Sequence, residues 1–280
     1  MKKIGFIDLY LSEWHANEYP AWIRRANEVL NEDFVLSYAW GEEEISPVDG
    51  VTNALWCEKN GVELCESIEE VCEKSDCIFI LAPSNPEKHL EYAERVLKYK
   101  KPTYIDKTFA PDLLTAKKIF DLGKKYACPF FSTSALRYAQ ELEELSGGRD
   151  FVITGNGGNF AEYLVHTAEM AVILLNSPAK RIKTECMGNR RICRIQTESE
   201  NEALLIQGIG LDYTLAGKRA DGKNRSYRIT SDFFFLLICD ILRFFVNGKV
   251  PFDPAQTLEV MRLRDALLEG EKMPETWIEL

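Results

Sequence analysis

Residues 75–89 read Ser75-Asp76-Cys77-Ile78-Phe79-Ile80-Leu81-Ala82-Pro83-Ser84-Asn85-Pro86-Glu87-Lys88-His89. Residues 77–82 are apolar without interruption, the pattern of a strand buried on both faces of a parallel sheet. A Pro/Asn loop follows at once, and then a helical stretch over residues 87–97. The same strand-then-helix rhythm extends outward on both sides. Strands are expected at residues 3–9, 34–40, 102–105 and 129–132, and helices at 14–30, 68–73 and 111–126. Such alternation specifies an α/β fold, a parallel sheet with helices on both faces. In an open sheet of that kind ligands bind beyond the carboxyl ends of the strands. The loops after the first, central and following strands are therefore where chemistry is expected.

After about residue 130 the rhythm changes. A short strand at 150–154 and a helix at 159–175 are followed by strand candidates in series, at 181–186, 190–197, 203–208, 212–216 and 226–229. Short polar connections such as Gly188-Asn189 mark hairpins, so this part reads as an antiparallel sheet. Two helices close the chain. One starts after the capping pair Ser231 and Asp232 and stops at Gly248; the other runs over 254–269 and stops at Gly270.

The chain has 280 residues, which suits two domains. Its 46% hydrophobic and 28% charged residues exclude a disordered or collagen-like chain. Lys plus Arg number 34 against 44 Asp plus Glu, a formal charge of −10. That balance argues against phosphate-backbone binding, so no nucleic-acid partner is expected. The most apolar segment, residues 233–246, is broken by Asp240 and Arg243, so neither a membrane span nor a membrane partner is expected. Lys2 and Lys3 precede an apolar stretch that Asp8 ends, which reads as a first strand and not as a signal peptide. The 8 cysteines contain no C-x-x-C. They match neither a zinc site nor a disulfide framework. Reduced, mostly buried thiols in a cytoplasmic protein are expected, and no metal site.

Three segments fall at the carboxyl ends of the parallel strands. The first is Asp8-Leu9-Tyr10-Leu11-Ser12-Glu13. A dinucleotide-binding turn carries three glycines here, which let the backbone approach the pyrophosphate. Asp8, Tyr10 and Glu13 stand in those places; two are carboxylates, and each Cβ restricts close approach. The segment reads either as a dinucleotide turn of altered form or as an ordinary strand–helix connection. The second is Pro83…Asn85…His89, where Asn85 suits a helix cap and His89 a helix surface. The third is Asp106-Lys107-Thr108. A lysine there can hold an anionic or hydroxyl-rich ligand, or donate a proton if its pKa is lowered; a solvated ion pair is the plainer reading.

In the second half, Gly157-Gly158-Asn159 leads into Glu162…His166…Glu169. On a helix Glu162 and His166 share a face, with Glu169 one turn further. A carboxylate that orients an imidazole is the arrangement general acid–base chemistry uses. The same residues also fit a capping box from Asn159 to Glu162 and a core histidine. After the second strand come Glu42, Glu43 and Glu44, which suit ribose hydroxyls and disfavour a 2′-phosphate, or form a solvated loop. Lys218, Arg219, Lys223, Arg225 and Arg228 cluster around an expected hairpin, most simply as a solvated turn.

Taken together, these groups resemble the Gfo/Idh/MocA oxidoreductase family over nearly the whole chain. Pro83…Asn85…His89 is similar to that family's P-N-x-x-H segment. Asp106-Lys107-Thr108 falls where it has E-K-P, and Gly157-Gly158…Glu162…His166…Glu169 is similar to its G-G…D-x-x-x-H-x-x-D helix. Ser134-Ala135-Leu136-Arg137-Tyr138 resembles the arginine segment that enters its second domain, and Gly248-Lys249-Val250-Pro251 its ending. The resemblance implies a Rossmann-like dinucleotide-binding domain over residues 1–130. It implies a substrate and oligomerisation domain with an open, mostly antiparallel sheet over 131–280, the C-terminal helices being free to pack back on the first domain. It implies hydride transfer between NAD(P) and a sugar, polyol or related small-molecule substrate. Lys107, His166 and Glu162 would be catalytic. Asp8, Tyr10, Leu11, Pro83, Asn85, His89, Asp106 and Lys107 would line the cofactor, and Arg137, Glu162 and His166 the substrate. NAD is favoured over NADP, and a homo-oligomer through the second-domain sheet is expected. The missing glycines keep a second reading open, a family-derived ligand-binding or regulatory protein that has lost dinucleotide binding.

Overall fold

A computed structural model describes residues 1–280 and divides them into two units, Met1–Thr133 with Phe235–Pro254, and Ser134–Phe234 with Ala255–Leu280. In the first unit β1 (Lys2–Asp8), β2 (Phe34–Gly41), β3 (Glu63–Leu64), β4 (Cys77–Ile80), β5 (Thr103–Ile105) and β6 (Phe130–Phe131) form one parallel sheet in the order β3-β2-β1-β4-β5-β6. Between them run α1 (Trp14–Leu30), α2 (Asn53–Asn60), α3 (Ile68–Lys74), α4 (His89–Val96) and α5 (Leu113–Tyr126). The strand order reverses between β1 and β4, which pair from Ile4 with Cys77 to Ile7 with Ile80. At such a switch point a doubly wound sheet opens a crevice along its carboxyl edge. Asp8, Leu81-Ala82 and Asp106-Lys107 leave β1, β4 and β5 at that edge.

The second unit holds β7 (Arg149–Gly155), α6 (Phe160–Leu175), β8 (Ala179–Met187), β9 (Arg190–Thr197), β10 (Glu202–Gln207), β11 (Thr214–Lys218) and β12 (Asn224–Arg228). α7 (Phe233–Asn247) returns to the first unit from Phe235 onward; α8 (Pro254–Lys272, in the second unit from Ala255) and β13 (Trp277–Glu279) complete the second. The sheet order is β12-β11-β7-β10-β9-β8-β13. Every pairing is antiparallel except β7 with β10, which run parallel. α6 buries Leu164, Val165, Ala168 and Ala171 in this unit's core together with Ile153, Ile195 and Leu205 of the sheet.

All four residues of β4 are buried. Phe79 stands at the centre of an aromatic core, with ring centroids 5.2 Å from Phe6, 5.6 Å from Tyr104, 6.0 Å from Tyr19 and 5.3 Å from Phe245 of α7. Three short elements, α2, β3 and β13, were not expected. β3 is two residues long and β13 three, too short for any periodicity to register. α8 passes through Gly270 and ends at Lys272. That glycine is a packing residue and not a stop: a Cβ there would lie 2.8 Å from Thr184 Oγ1 and 3.2 Å from Ile182. No helix is long and apolar enough to cross a membrane.

Truncating the central ring, Phe79→Ala, is expected to cost about 3–5 kcal/mol, as large-to-small changes in packed aromatic cores do. Urea unfolding measures it, and a loss below about 1 kcal/mol would contradict the placement of Phe79.

Candidate functional site

The β1–α1 turn uses up its own amide groups. Glu13 is the N-cap of α1, and its carboxylate accepts from the N–H of His15 at 2.8 Å and from the N–H of Ala16. Asp8 Oδ1 accepts from the N–H of Leu9 at 2.7 Å and of Ala82 at 3.0 Å. The N–H of Leu11 goes to Asn53 Oδ1 at 2.9 Å. Burial, then the Glu13 charge, pushes the Asp8 carboxyl well above the usual carboxylate range; burial also raises Glu13.

Beside this turn Asp106 gathers four neighbours. His15 Nδ1 lies 2.6 Å from Asp106 Oδ2. Tyr19 donates to the carboxylate at 3.3 Å, Tyr104 at 3.2 Å, and the N–H of Lys107 at 2.8 Å. Burial works to raise Asp106, but the His15 charge and hydrogen bond, and then Lys107, hold it below its ordinary value. Asp106 is 1% exposed, so the expected solvated Asp–Lys pair is a buried hub. Lys107 is half-buried, its Nζ 3.5 Å from Pro83 O.

The segment after β2 is bonded over the same turn. Glu42 and Glu43 donate their N–H groups to Asp8 O and Leu9 O. Asn53 donates to Gly41 O and Glu43 O, Ser12 to Asp49, and Ser46 to Ser12 O. Glu42 is held by Lys88 at 2.5 Å and by Tyr92 at 2.6 Å. His89 is fully buried, with Nε2 2.5 Å from Leu81 O and Nδ1 3.0 Å from Phe109 O, and so is not the surface histidine expected. Burial lowers its pKa. Asn85 makes no side-chain cap bond and donates instead to Glu87 at 3.1 Å. Leu11 and Pro83 are buried and Tyr10 half-buried.

In the second unit Asn159 caps α6 through the N–H of Glu162. Gly157 sits at φ 133°, where a Cβ would strike the Tyr163 ring at 2.2 Å, so the turn into α6 requires glycine. Glu162 and His166 are both half-buried, one turn apart on α6. His166 Nδ1 is 2.7 Å from Ser134 Oγ. Ser134 is buried; its Oγ also accepts from the N–H of Leu136, and its own N–H donates to Glu169 Oε2. Glu169 in turn takes Arg137 through Nε at 2.6 Å and Nη2 at 2.5 Å, while Nη1 of Arg137 donates to Gln256 at 2.7 Å. Arg137, expected at the substrate, is thus engaged by Glu169 and Gln256. His15, Tyr19, Asn53 and Ser134 contribute in ways not read from sequence; of these only Ser134 stood in a quoted motif, and there for its neighbour Arg137.

No protein-family model matches the sequence, and no curated protein matches it. Solved structures do. UDP-N-acetylglucosamine 3-dehydrogenase from Acidithiobacillus ferrooxidans has a TM-score of 0.76 at 10% identity, over 96% of this chain and 97% of its own. Aldose-aldose oxidoreductase from Caulobacter crescentus, complexed with glycerol, has 0.75 at 11%, over 100% of both chains. Scyllo-inositol dehydrogenase from Lactobacillus casei, with bound NAD(H) and scyllo-inositol, has 0.74 at 14%, over 99% and 98%. These are dehydrogenases and oxidoreductases of the Gfo/Idh/MocA type. The chain has their fold.

The Gfo/Idh/MocA fold carries with it the question of a dinucleotide. In a dinucleotide-binding domain the pyrophosphate takes the amides at the N-terminus of the first helix, and the ribose meets the end of the second strand. Here the α1 amides of His15 and Ala16 already carry the Glu13 carboxylate, and the segment after β2 is bonded across the turn. The residues present do not fit a pyrophosphate in that position.

Replacing Asp8, Tyr10 and Glu13 together by glycine is expected to tighten NADH binding at least tenfold. One carboxylate about 4 Å from a phosphate charge costs about 1 kcal/mol in water and about 4 kcal/mol at an effective dielectric near 20. Nicotinamide fluorescence reads the affinity, and equal or tighter binding by the natural protein would contradict the expectation. A pH effect follows from the same turn. With its folded pKa raised, Asp8 holds its proton more firmly in the folded chain. Stability therefore falls as pH rises from the ordinary carboxylate range towards the raised value. Asp8→Asn should gain about 1–3 kcal/mol near pH 7 and progressively less towards pH 4. Urea unfolding at the two pH values would show no such gain if Asp8 were ordinary.

Proposed function

We propose that this chain is a Gfo/Idh/MocA-type protein acting on a sugar, polyol or related hydroxyl compound, with His166 as its acid–base group. The observation that carries the reading is the 2.7 Å pair between His166 Nδ1 and Ser134 Oγ. A hydroxyl held on one ring nitrogen orients the imidazole and places proton exchange at the other. Glu162, one turn earlier on α6, supplies the orienting carboxylate. Arg137 acts through Glu169, which holds the backbone of Ser134. The chain pairs with a second copy of itself through the seven-stranded sheet.

Two versions of this reading differ in the cofactor. An NAD-dependent oxidoreductase is favoured by the fold, since a structure of the same fold binds NAD(H). NAD would be preferred to NADP because Glu42, Glu43 and Glu44 follow β2. A ligand-binding protein that has dispensed with the dinucleotide is favoured by the Glu13 cap on α1. The turn as it stands supports the second version, and no hydride step is assigned.

Calorimetric titration with inositols and aldoses, with and without NADH, separates the versions. Binding of a hydroxyl compound that is indifferent to NADH supports the second, and tight NADH binding supports the first. On a substrate so found, His166→Ala should lower turnover about 10²–10⁴-fold while Ser134→Ala shifts its pH profile. Unchanged turnover in His166→Ala would reduce His166 to a packing residue.

A further inference from the structure

The turn whose amides are already taken is itself incompletely satisfied. Asp8 Oδ1 has two amide donors, but Oδ2 of the same carboxyl has no hydrogen-bond partner although the residue is only 1% exposed. A buried polar atom left unpaired is costly and calls for a hydrogen-bond partner. Glu13 caps the same first turn of α1 through the N–H groups of His15 and Ala16. His15 completes the group, 2.6 Å from Asp106. Its ring is clamped, stacked on Tyr19 at 5.2 Å and 11° and edge-on to Trp14 at 5.1 Å and 69°. All of these groups stand where β1 and β5 end and α1 begins, the edge at which sheets of this order bind ligands.

The charges decide the kind of ligand. Burial draws Asp8 towards its neutral form, and the Glu13 and Asp106 carboxylates stand against Lys107, so the site does not favour an anion. No group of three or more side chains is arranged to hold a metal ion. A neutral molecule that both donates and accepts hydrogen bonds satisfies the site. We propose that the β1–α1 turn is a binding site for a neutral, hydroxyl-rich compound whose hydroxyl groups meet the Asp8 carboxyl and the His15 imidazole. The site takes the place of the pyrophosphate site of dinucleotide-binding relatives. It lies wholly in the first unit and does not depend on the role given to His166.

The three histidines, His15, His89 and His166, give three imidazole signals in NMR spectra of the full chain. His15→Gln and His166→Gln assign them. Myo-inositol, scyllo-inositol and glucose are the neutral probes, and NADH and AMP the anionic ones. The expected result is a saturable shift of the His15 signal with at least one neutral probe. Asp8→Asn should retain it, and Asp8→Leu should weaken it about tenfold or more. Should Asp8→Leu fail to fold, the natural chain and Asp8→Asn decide. A His15 signal that moves with NADH or AMP and with no neutral probe overturns the proposal. So does one that no probe moves, as for a carboxyl bonded only to water. Movement of His166 alone overturns this proposal and supports the second-unit reading, whereas movement of neither histidine counts against both.

Discussion

The carboxylate of Glu13, lodged on the first amides of α1, is the constraint on which the rest of this chain's chemistry depends. A helix N-terminus at the carboxyl edge of a parallel sheet is an anion site by construction, because its free N–H groups and its dipole point the same way. In dinucleotide-binding domains that site receives a pyrophosphate. Here the helix's own N-cap residue, Glu13, occupies it, and the consequences run outward. The charge of Glu13 helps push Asp8 above the carboxylate range. His15, one residue into α1, lies against Asp106 at the end of β5. The segment after β2 closes over the turn through Asn53, Ser12 and Ser46. A domain with the strand order of a cofactor domain is thereby furnished with its own anion.

The second unit makes a different use of the same chemical vocabulary. His166 is held by a hydroxyl, and Glu169, one turn further along α6, holds Arg137 and the backbone that carries that hydroxyl. The two units each contain a histidine fixed by a buried polar neighbour, one on the first turn of α1 and one in the middle of α6.

Much of the architecture was legible in the sequence because burial leaves a pattern. The unbroken apolar run over residues 77–82 could only be a central strand, and the change from strand–helix alternation to serial strands marked the second sheet. What stayed hidden lacks periodicity or depends on distant residues. β3 and β13 are too short to register, the parallel pairing of β7 with β10 crosses over two strands of sequence, and Gly270 mimics a helix stop while serving close packing against Thr184. In the turn, composition showed that Asp8 and Glu13 would oppose a pyrophosphate. It did not show that Glu13 would curl onto its own helix, since that depends on backbone geometry. Nor could it pair His15 with Asp106 or Ser134 with His166, because each pair is assembled only when the chain folds.

The most direct measurement follows the backbone amide signals of His15 and Ala16 in the natural protein while NAD is added in excess. With the Glu13 carboxylate in place, both signals should stay where they are. A saturable movement of both, with the protein still folded, would mean that a pyrophosphate displaces Glu13 and that the turn remains a dinucleotide site.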